Sequence, residues 1–175
     1  AGHETTVNLI SKGILALLRN PRQLKLLRSH PELMPAAVEE LVRYDSPVQM
    51  ISRWAYEDFE IDGKVIKRGD SVNLILGSAN RDEEQFENPD ELNFEREMKK
   101  HSGFGSGIHY CLGSSLARAE VTIALNTLIN RLPNLTLKAD SIEWADNIVF
   151  HGPKHLQIGF RSPRDDKGLW GHDHV

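Results

Sequence analysis

The stretch that decides the fold reads Phe104-Gly105-Ser106-Gly107-Ile108-His109-Tyr110-Cys111-Leu112-Gly113, and it holds the only cysteine of the sequence. Its three glycines permit backbone angles that other residues avoid, and they let another molecule approach the chain closely. A helix is predicted to begin just after the thiol, near Leu112. The free N–H groups and positive dipole end of that helix favour a thiolate over a thiol.

A thiolate in such a loop suits the axial position of a flat metal macrocycle, as in haem held by cysteine. The alternative is a buried, inert cysteine, which is the ordinary state of a lone thiol. The spacing Phe-x-x-Gly-x-x-x-Cys-x-Gly favours the ligand, because a chain with six Phe, 13 Gly and one Cys rarely produces it by chance.

Composition excludes several classes of protein. A chain of 175 residues favours one domain. Its net charge of −4 argues against a general nucleic-acid binder. One cysteine permits no intrachain disulfide, no apolar run is long enough to span a membrane, and no signal peptide is evident. The opening Ala1-Gly2-His3-Glu4-Thr5-Thr6 reads as the middle of a longer chain.

Apolar periodicity predicts four helices. The first ends at Asn20-Pro21 and the second begins at Pro21, because the residue before proline avoids helical angles. The third runs from Met34 to Tyr44. The stripe of the first helix is predicted to consist of Val7, Ile10, Ile14, Leu17 and Leu18. The fourth helix is predicted to end at Pro133 and to bury Leu116, Ala119, Ile123, Ala124, Leu128 and Leu132.

Short strands are predicted from residue 48 onward and again before Phe160. Asp62-Gly63 between two apolar runs predicts a β-hairpin. Residues 81–103 are rich in charge and lack periodicity, so they are predicted to be irregular. Residues 161–175 are predicted to form a loose tail.

The cysteine loop resembles the haem-binding loop of the cytochrome P450 family, the haem-thiolate monooxygenases. The resemblance implies haem b (iron protoporphyrin IX) as the cofactor, with Cys111 as the iron ligand and Phe104 near its sulfur. It also implies that His109 and Arg53 bind haem propionates. Gly105 and Gly113 complete the implied cofactor-binding set.

A second matching element lies on the third predicted helix, where Glu40-Leu41-Val42-Arg43 contains a Glu-x-x-Arg pair. Taken alone, such a pair is usually exposed and contributes little. The resemblance instead implies a buried structural pair that locks the scaffold of the haem loop. Arg96 is the best match for its third, basic member.

A third matching element is the first six residues, which resemble the oxygen-binding helix motif Ala/Gly-Gly-x-Asp/Glu-Thr. Taken alone, Glu-Thr-Thr is an ordinary helix start. The resemblance implies that Thr5 and Glu4 relay protons to dioxygen in a site that otherwise excludes water.

The resemblance covers residues 1–160 and implies a mainly α fold with small β-sheets (α+β), the C-terminal part of the cytochrome P450 fold. The implied function is hydroxylation of an apolar, fatty-acyl or polyketide/macrolide-like substrate with dioxygen and two external electrons. Two alternatives stay open: a peroxide-using peroxygenase, and a truncated, haem-free fragment without catalysis. Family members of the first kind tend to lack the acid–alcohol pair, which is present here as Glu4-Thr5.

The resemblance implies a soluble, cytoplasmic, bacterial protein whose small apolar substrate contacts the turn after the Glu-x-x-Arg helix and the last strand pair. These positions are Val48, Gln49, Met50, Val149 and Phe150. A ferredoxin or flavodoxin is expected to dock on a basic patch formed by Lys99, Lys100 and Arg118. Apolar surface left open by a missing N-terminal part could support a dimer. Ligand spacing argues against zinc at His101, His151, His155, His172 and His174.

Overall fold

The structure, a computed structural model, describes residues 2–97, 99–138 and 141–161. Helices dominate this part of the chain, and three two-stranded antiparallel sheets accompany them, which confirms the predicted α+β class. The predicted tail beyond Arg161 lies outside the described residues. The elements in chain order are α1 (Glu4–Arg19), α2 (Pro21–Ser29), α3 (Met34–Tyr44), β1 (Met50–Trp54), β2 (Phe59–Ile61), β3 (Lys64–Ile66), β4 (Ser71–Ile75), α4 (Leu76–Ala79), α5 (Ser114–Arg131), β5 (Thr136–Leu137) and β6 (Ile158–Gly159), with single 3-10 turns at Pro31–Leu33 and Gly107–His109.

Proline and asparagine end α1 where the sequence predicts. The backbone N–H of Asn20 donates to the carbonyls of Ala16 and Leu17 at 3.0 and 3.2 Å. The Asn20 side-chain amide also donates to Ala16 O at 2.9 Å. Pro21 then occupies the first turn of α2, where its missing N–H costs nothing. The predicted bounds of α3, Met34 and Tyr44, are confirmed.

The core lies where α1, α3 and α5 cross. Gly13 allows the close approach, since a Cβ there would already lie 3.4 and 3.5 Å from methyl carbons of Leu41 and Leu125. Each fully buried aliphatic side chain contributes about 1.5–3 kcal/mol relative to exposure. The centre of this core is formed by Leu9, Ile14, Leu17, Ala37, Val38, Leu41, Val121, Leu125 and Ile129.

The predicted buried stripe of α5 is confirmed only in part. Leu128 and Leu132 pack against the core, whereas Leu116 and Ile123 are 61% and 67% exposed. The buried apolar residues of the helix are Val121, Leu125 and Ile129. The helix is apolar on more than one side, so periodicity alone does not choose the face that meets α1 and α3. Val7 of the α1 stripe is likewise exposed.

The strands extend the helical core on one side. β1 pairs with β4 in an antiparallel register from Met50 opposite Ile75 to Trp54 opposite Ser71. The predicted hairpin is confirmed as β2–β3, and Asp62 and Gly63 adopt the positive φ angles that its tight turn requires. An isolated bridge joins Val48 to Phe150 and brings the segment around Phe150 beside the start of β1.

The predicted irregular segment is confirmed, since the described residues between Ala79 and Gly107 form no helix or strand. Within the described ranges, no helix is both long and apolar enough to cross a bilayer.

Candidate active site

A cleft of about 470 Å³ lies between the first turns of α1 and the loop of residues 103–113. Its volume falls in the range of small-molecule and cofactor sites. The structure brings most of the sequence-predicted site residues to this one cleft. They are Glu4, Thr5, Val48, Arg53, Phe104, Gly105, His109, Cys111, Gly113 and Phe150.

The loop presents Cys111 to the cleft through a set of backbone hydrogen bonds. The N–H of Cys111 donates to Phe104 O at 2.9 Å, and that of Ser114 donates to Cys111 O at 3.2 Å. Gly105 adopts φ +73°, an angle that side-chain-bearing residues rarely take. Gly103 lies so close to α3 that a Cβ there would be 2.4 Å from a methyl carbon of Val42. The thiol itself is exposed.

The chemistry of the cleft fits haem. One soft donor, Cys111, stands among apolar side chains, since Leu112 and Leu116 also line the cleft and leave their surface uncovered. A flat apolar group would cover this surface, whose exposure is unfavourable in water. The basic side chains of Arg53 and His109 line the same cleft and suit acidic groups at the edge of such a ligand.

A buried ion pair lies behind the cleft on α3. Arg43 donates to both carboxylate oxygens of Glu40, at 2.7 and 2.9 Å, and both side chains are fully buried. Arg96 donates from Nε to Glu40 Oε1 at 3.2 Å. The three residues predicted from the Glu-x-x-Arg resemblance are thus in contact.

These two arginines bind the backbone of the irregular segment. Arg43 donates to the carbonyls of Asn80 and Pro89, both at 2.8 Å, and Arg96 donates to that of Asn88 at 3.1 Å. The carbonyl of Glu91 accepts from both. Because this segment has no helix or strand in which its carbonyls could be bonded, the guanidinium groups of Arg43 and Arg96 supply the hydrogen-bond donors.

A second ionic cluster joins α3 to α5 and was missed at the sequence level. Arg118 forms an ion pair with Glu39 and its guanidinium carbon lies 4.4 Å from the centre of the Phe104 ring. His101 is also bonded to Glu39, at 3.0 Å. Burial opposes ionisation of Glu39, yet hydrogen bonds from Arg118 and His101 outweigh it and lower the pKa to about 2.

This cluster corrects the role that the sequence predicted for Arg118. Arg118 was predicted to be part of a basic docking patch, but its partner is Glu39 and its side chain is two-thirds covered. The hydrogen bond from Arg118 also lowers the pKa of the Tyr110 hydroxyl. The adjacent residues Glu39 and Glu40 are the sequence feature that could have indicated this cluster. Side chains of adjacent helical residues point about 100° apart, so the two carboxylates need separate partners.

Three predicted substrate contacts do not reach the cleft. Gln49 turns back, donates to Ser46 O at 2.6 Å and lies against Gly77. Met50 and Val149 are also absent from the lining. Side chains alternate along β1, so Ile51 and Arg53 share the cleft side and Met50 faces away.

The described ranges hold no cluster of three His, Cys, Asp or Glu side chains able to bind a metal ion. His172 and His174 lie outside those ranges.

Comparison with known proteins gives one consistent result. The family model described as "Cytochrome P450" matches residues 1–158. The chain is 55% identical over 150 residues to a biotin biosynthesis cytochrome P450 of Bacillus subtilis (strain 168), covering 86% of this chain and 38% of that protein. It is 48% identical over 161 residues to the polyketide biosynthesis cytochrome P450 PksS of the same strain, covering 90% and 40%.

The fold comparison agrees. The crystal structure of P450BioI in complex with hexadec-9Z-enoic acid ligated acyl carrier protein superposes with a TM-score of 0.89 at 49% identity. It covers 91% of this chain, which in turn covers 42% of that structure's chain. The chain therefore spans about two-fifths of the length of the relatives that it matches.

Proposed function

Because the chain belongs to the cytochrome P450 family, we propose that it forms the haem-binding and proton-delivering part of a monooxygenase. In this reaction one oxygen atom of dioxygen enters a C–H bond of the substrate, and the other is reduced to water with two electrons and two protons from outside. The observation that carries the proposal is a single cleft lined by Cys111 on one side and by Glu4 and Thr5 on the other.

Residues of the loop and of β1 would hold the cofactor. Cys111 is the thiolate ligand, and its N–H bond to Phe104 O holds the sulfur-bearing turn in place. Arg53 and His109, which line the same cleft, would bind the propionates. Bound haem supplies dioxygen activation, which a thiolate ligand favours by donating electron density toward O–O cleavage.

Two side chains at the start of α1 would move protons. Glu4 is exposed to solvent, whereas Thr5 is half-buried, and both line the cleft. A hydroxyl donates and accepts at once, so Thr5 passes a proton inward while it receives another from the Glu4 side. Apolar neighbours such as Leu9 line the cleft beside these two side chains.

The substrate we propose is an extended apolar chain of the fatty-acyl or polyketide class. Its support is the apolar wall formed by Val48, Ile51, Leu76 and Phe150. The names of the relatives support the same class of substrate. Two relatives are named for biotin and polyketide biosynthesis, and one solved structure holds an acyl carrier protein that bears hexadec-9Z-enoic acid.

External electrons would come from a ferredoxin or flavodoxin. The exposed Lys99 and Lys100 precede the cysteine loop and offer positive charge to an acidic carrier. The presence of Glu4 and Thr5 in the cleft favours this route over a peroxygenase, which needs no such proton delivery.

The test uses the protein purified with haem. We expect the reduced, carbon monoxide-bound protein to give the red-shifted Soret band of thiolate ligation, and Cys111→Ser to lose it. Survival of the band in that variant would exclude Cys111 as the ligand, and a Soret band without this shift in the parent would refute the proposal. Product formed with reductase and ferredoxin, and not with hydrogen peroxide alone, would separate the monooxygenase from the peroxygenase.

A further inference from the structure

A buried ammonium group lies in the middle of α1, outside the cleft. Lys12 is 2% exposed. Its Nζ lies 2.6 Å from Asp45 Oδ1, 2.9 Å from Ser46 O and 3.1 Å from His151 Nδ1. A lysine ammonium has three N–H donors, so each of them has a partner here. The ammonium has donors only, so His151 Nδ1 is the acceptor in this contact.

All three partners of Lys12 belong to two turns far away in the sequence. Asp45 and Ser46 end α3 and lead into β1, whereas His151 follows the bridge near the end of the described chain. The turns are also joined to each other, since the N–H of His151 donates to Pro47 O at 2.8 Å. The N–H of Gln49 donates to Val149 O, also at 2.8 Å.

A second contact on the same face of α1 supports this attachment. Asn8 lies one helical turn before Lys12, and its amide packs so closely on Gly152 that a Cβ there would be 2.2 Å from Asn8 Oδ1. The Trp144 ring stacks on the His151 ring, with the two centroids 4.3 Å apart. The turn of residues 149–153 therefore contacts α1 at two residues, His151 and Gly152.

The buried charge of Lys12 is costly to desolvate. Burial lowers the pKa of Lys12, and the neighbouring Asp45 carboxylate opposes this shift. An apolar side chain of similar size would avoid that cost, so the buried pair is better suited to fixing geometry than to adding stability.

We propose that Lys12 is a positioning residue that determines substrate specificity by fixing the two turns carrying Val48 and Phe150 against the oxygen-binding helix. Val48 and Phe150 line the cleft and are bridged to each other, and Thr5 lies about two turns upstream of Lys12 on the same helix. The ammonium thus sets the distance between the substrate wall and the proton-delivering side chains. This inference rests on the proposed function for its substrate, but its structural part does not.

The test compares Lys12→Met with Lys25→Met, which removes an exposed ammonium from α2. In the haem-loaded protein, the binding of hexadec-9Z-enoic acid is followed by the haem difference spectrum, and imidazole serves as a probe that binds the iron directly. We expect Lys12→Met to weaken fatty-acid binding about tenfold and to spread hydroxylation over more carbons. The imidazole affinity should stay within about twofold of that of the parent, and the carbon monoxide spectrum should keep its thiolate band, because the substitution does not touch the cysteine loop.

Hydrogen exchange supplies the readout that does not need catalysis. The amides of Gln49 and His151 should exchange faster in Lys12→Met and remain protected in Lys25→Met. Unchanged exchange together with unchanged fatty-acid affinity and product distribution would overturn the role of Lys12. Should Lys12→Met fail to fold, Asp45→Asn keeps the ammonium and removes its charged partner, and the same measurements decide. A missing thiolate band in the parent would count against the proposed function alone, because hydrogen exchange at Gln49 and His151 does not depend on the haem reaction.

Discussion

The guanidinium carbon of Arg118 lies 4.4 Å from the centre of the Phe104 ring, while its Nε and Nη2 donate to the Glu39 carboxylate. Phe104 is the residue whose carbonyl accepts the N–H of Cys111. One charged side chain on α5 therefore contacts both a carboxylate on α3 and the aromatic ring of Phe104 in the cysteine loop. We expect the position of the loop to depend on this contact between α3 and α5.

Replacing Arg118 tests this dependence. Arg118→Ala removes a half-buried ion pair and a cation–π contact, so we expect the free energy of unfolding to fall by about 1–3 kcal/mol. The thiolate band should also decrease relative to that of a neutral thiol, because the loop loosens. Chemical denaturation and the carbon monoxide spectrum measure the two effects. Arg131→Ala, at the exposed end of the same helix, is the control and should change neither.

The acid stability of the protein should report the Glu39 pair. The pKa of Glu39 is lowered from 4.5 to about 2 in the fold. A depressed carboxyl pKa contributes stability that is complete above the unfolded pKa and is lost as the pH falls through the folded pKa. We therefore expect the parent to exceed Glu39→Gln in free energy of unfolding by about 1–2 kcal/mol at pH 6, after allowance for solvent screening of this partly exposed group.

The difference between the parent and Glu39→Gln should shrink as the pH falls from 4.5 toward 2. Urea denaturation at a series of pH values measures it. Glu60→Gln, which alters an exposed carboxylate on β2, provides the baseline. A difference that stays constant down to pH 2 would contradict the assignment of a charged Glu39 to this cluster.

Removal of the buried guanidinium on α3 should be the most damaging change. Arg43→Met leaves Glu40 fully buried with only Arg96 as a cationic partner, and it deprives Asn80 and Pro89 carbonyls of their donor. Breaking one side of a buried pair costs about 3–5 kcal/mol. Chemical denaturation measures the loss, and haem retention on gel filtration should fall with it.

An exposed ion pair supplies the contrast for Arg43→Met. Lys67 and Asp58 are 2.8 Å apart on the surface. Lys67→Met should cost no more than about 1 kcal/mol. Equal effects of Lys67→Met and Arg43→Met would mean that the Glu40 cluster does not hold the irregular segment.

The hydroxyl of Thr5 should govern how efficiently oxygen is used. Thr5→Ala removes a proton donor from the cleft, so product formed per dioxygen consumed should fall by about tenfold or more, within the range of general acid–base effects. Oxygen uptake and product yield measure this coupling. Ser11→Ala on the same helix removes a hydroxyl that bonds only to Val7 O, and its coupling should match that of the parent.

Local signals in the sequence determined much of this protein. Proline sets the end of α1 and the start of α2, because its ring acts on immediate neighbours. Asp62-Gly63 sets the hairpin for the same reason, since only a few residues accept positive φ. The spacing within residues 104–113 identified the cysteine loop, because the residues that shape this loop all lie within ten consecutive positions.

Only the tertiary structure decided which sides of these elements meet. The buried face of α5 and the direction of Gln49 went against expectation, because competing apolar or polar faces were available and packing chose between them. The pairs Glu39–Arg118 and Lys12–His151 join residues 79 and 139 positions apart. Polar and charged side chains show no periodicity that indicates a partner at such distances, so only the packing of helices and turns brings the two members of each pair together.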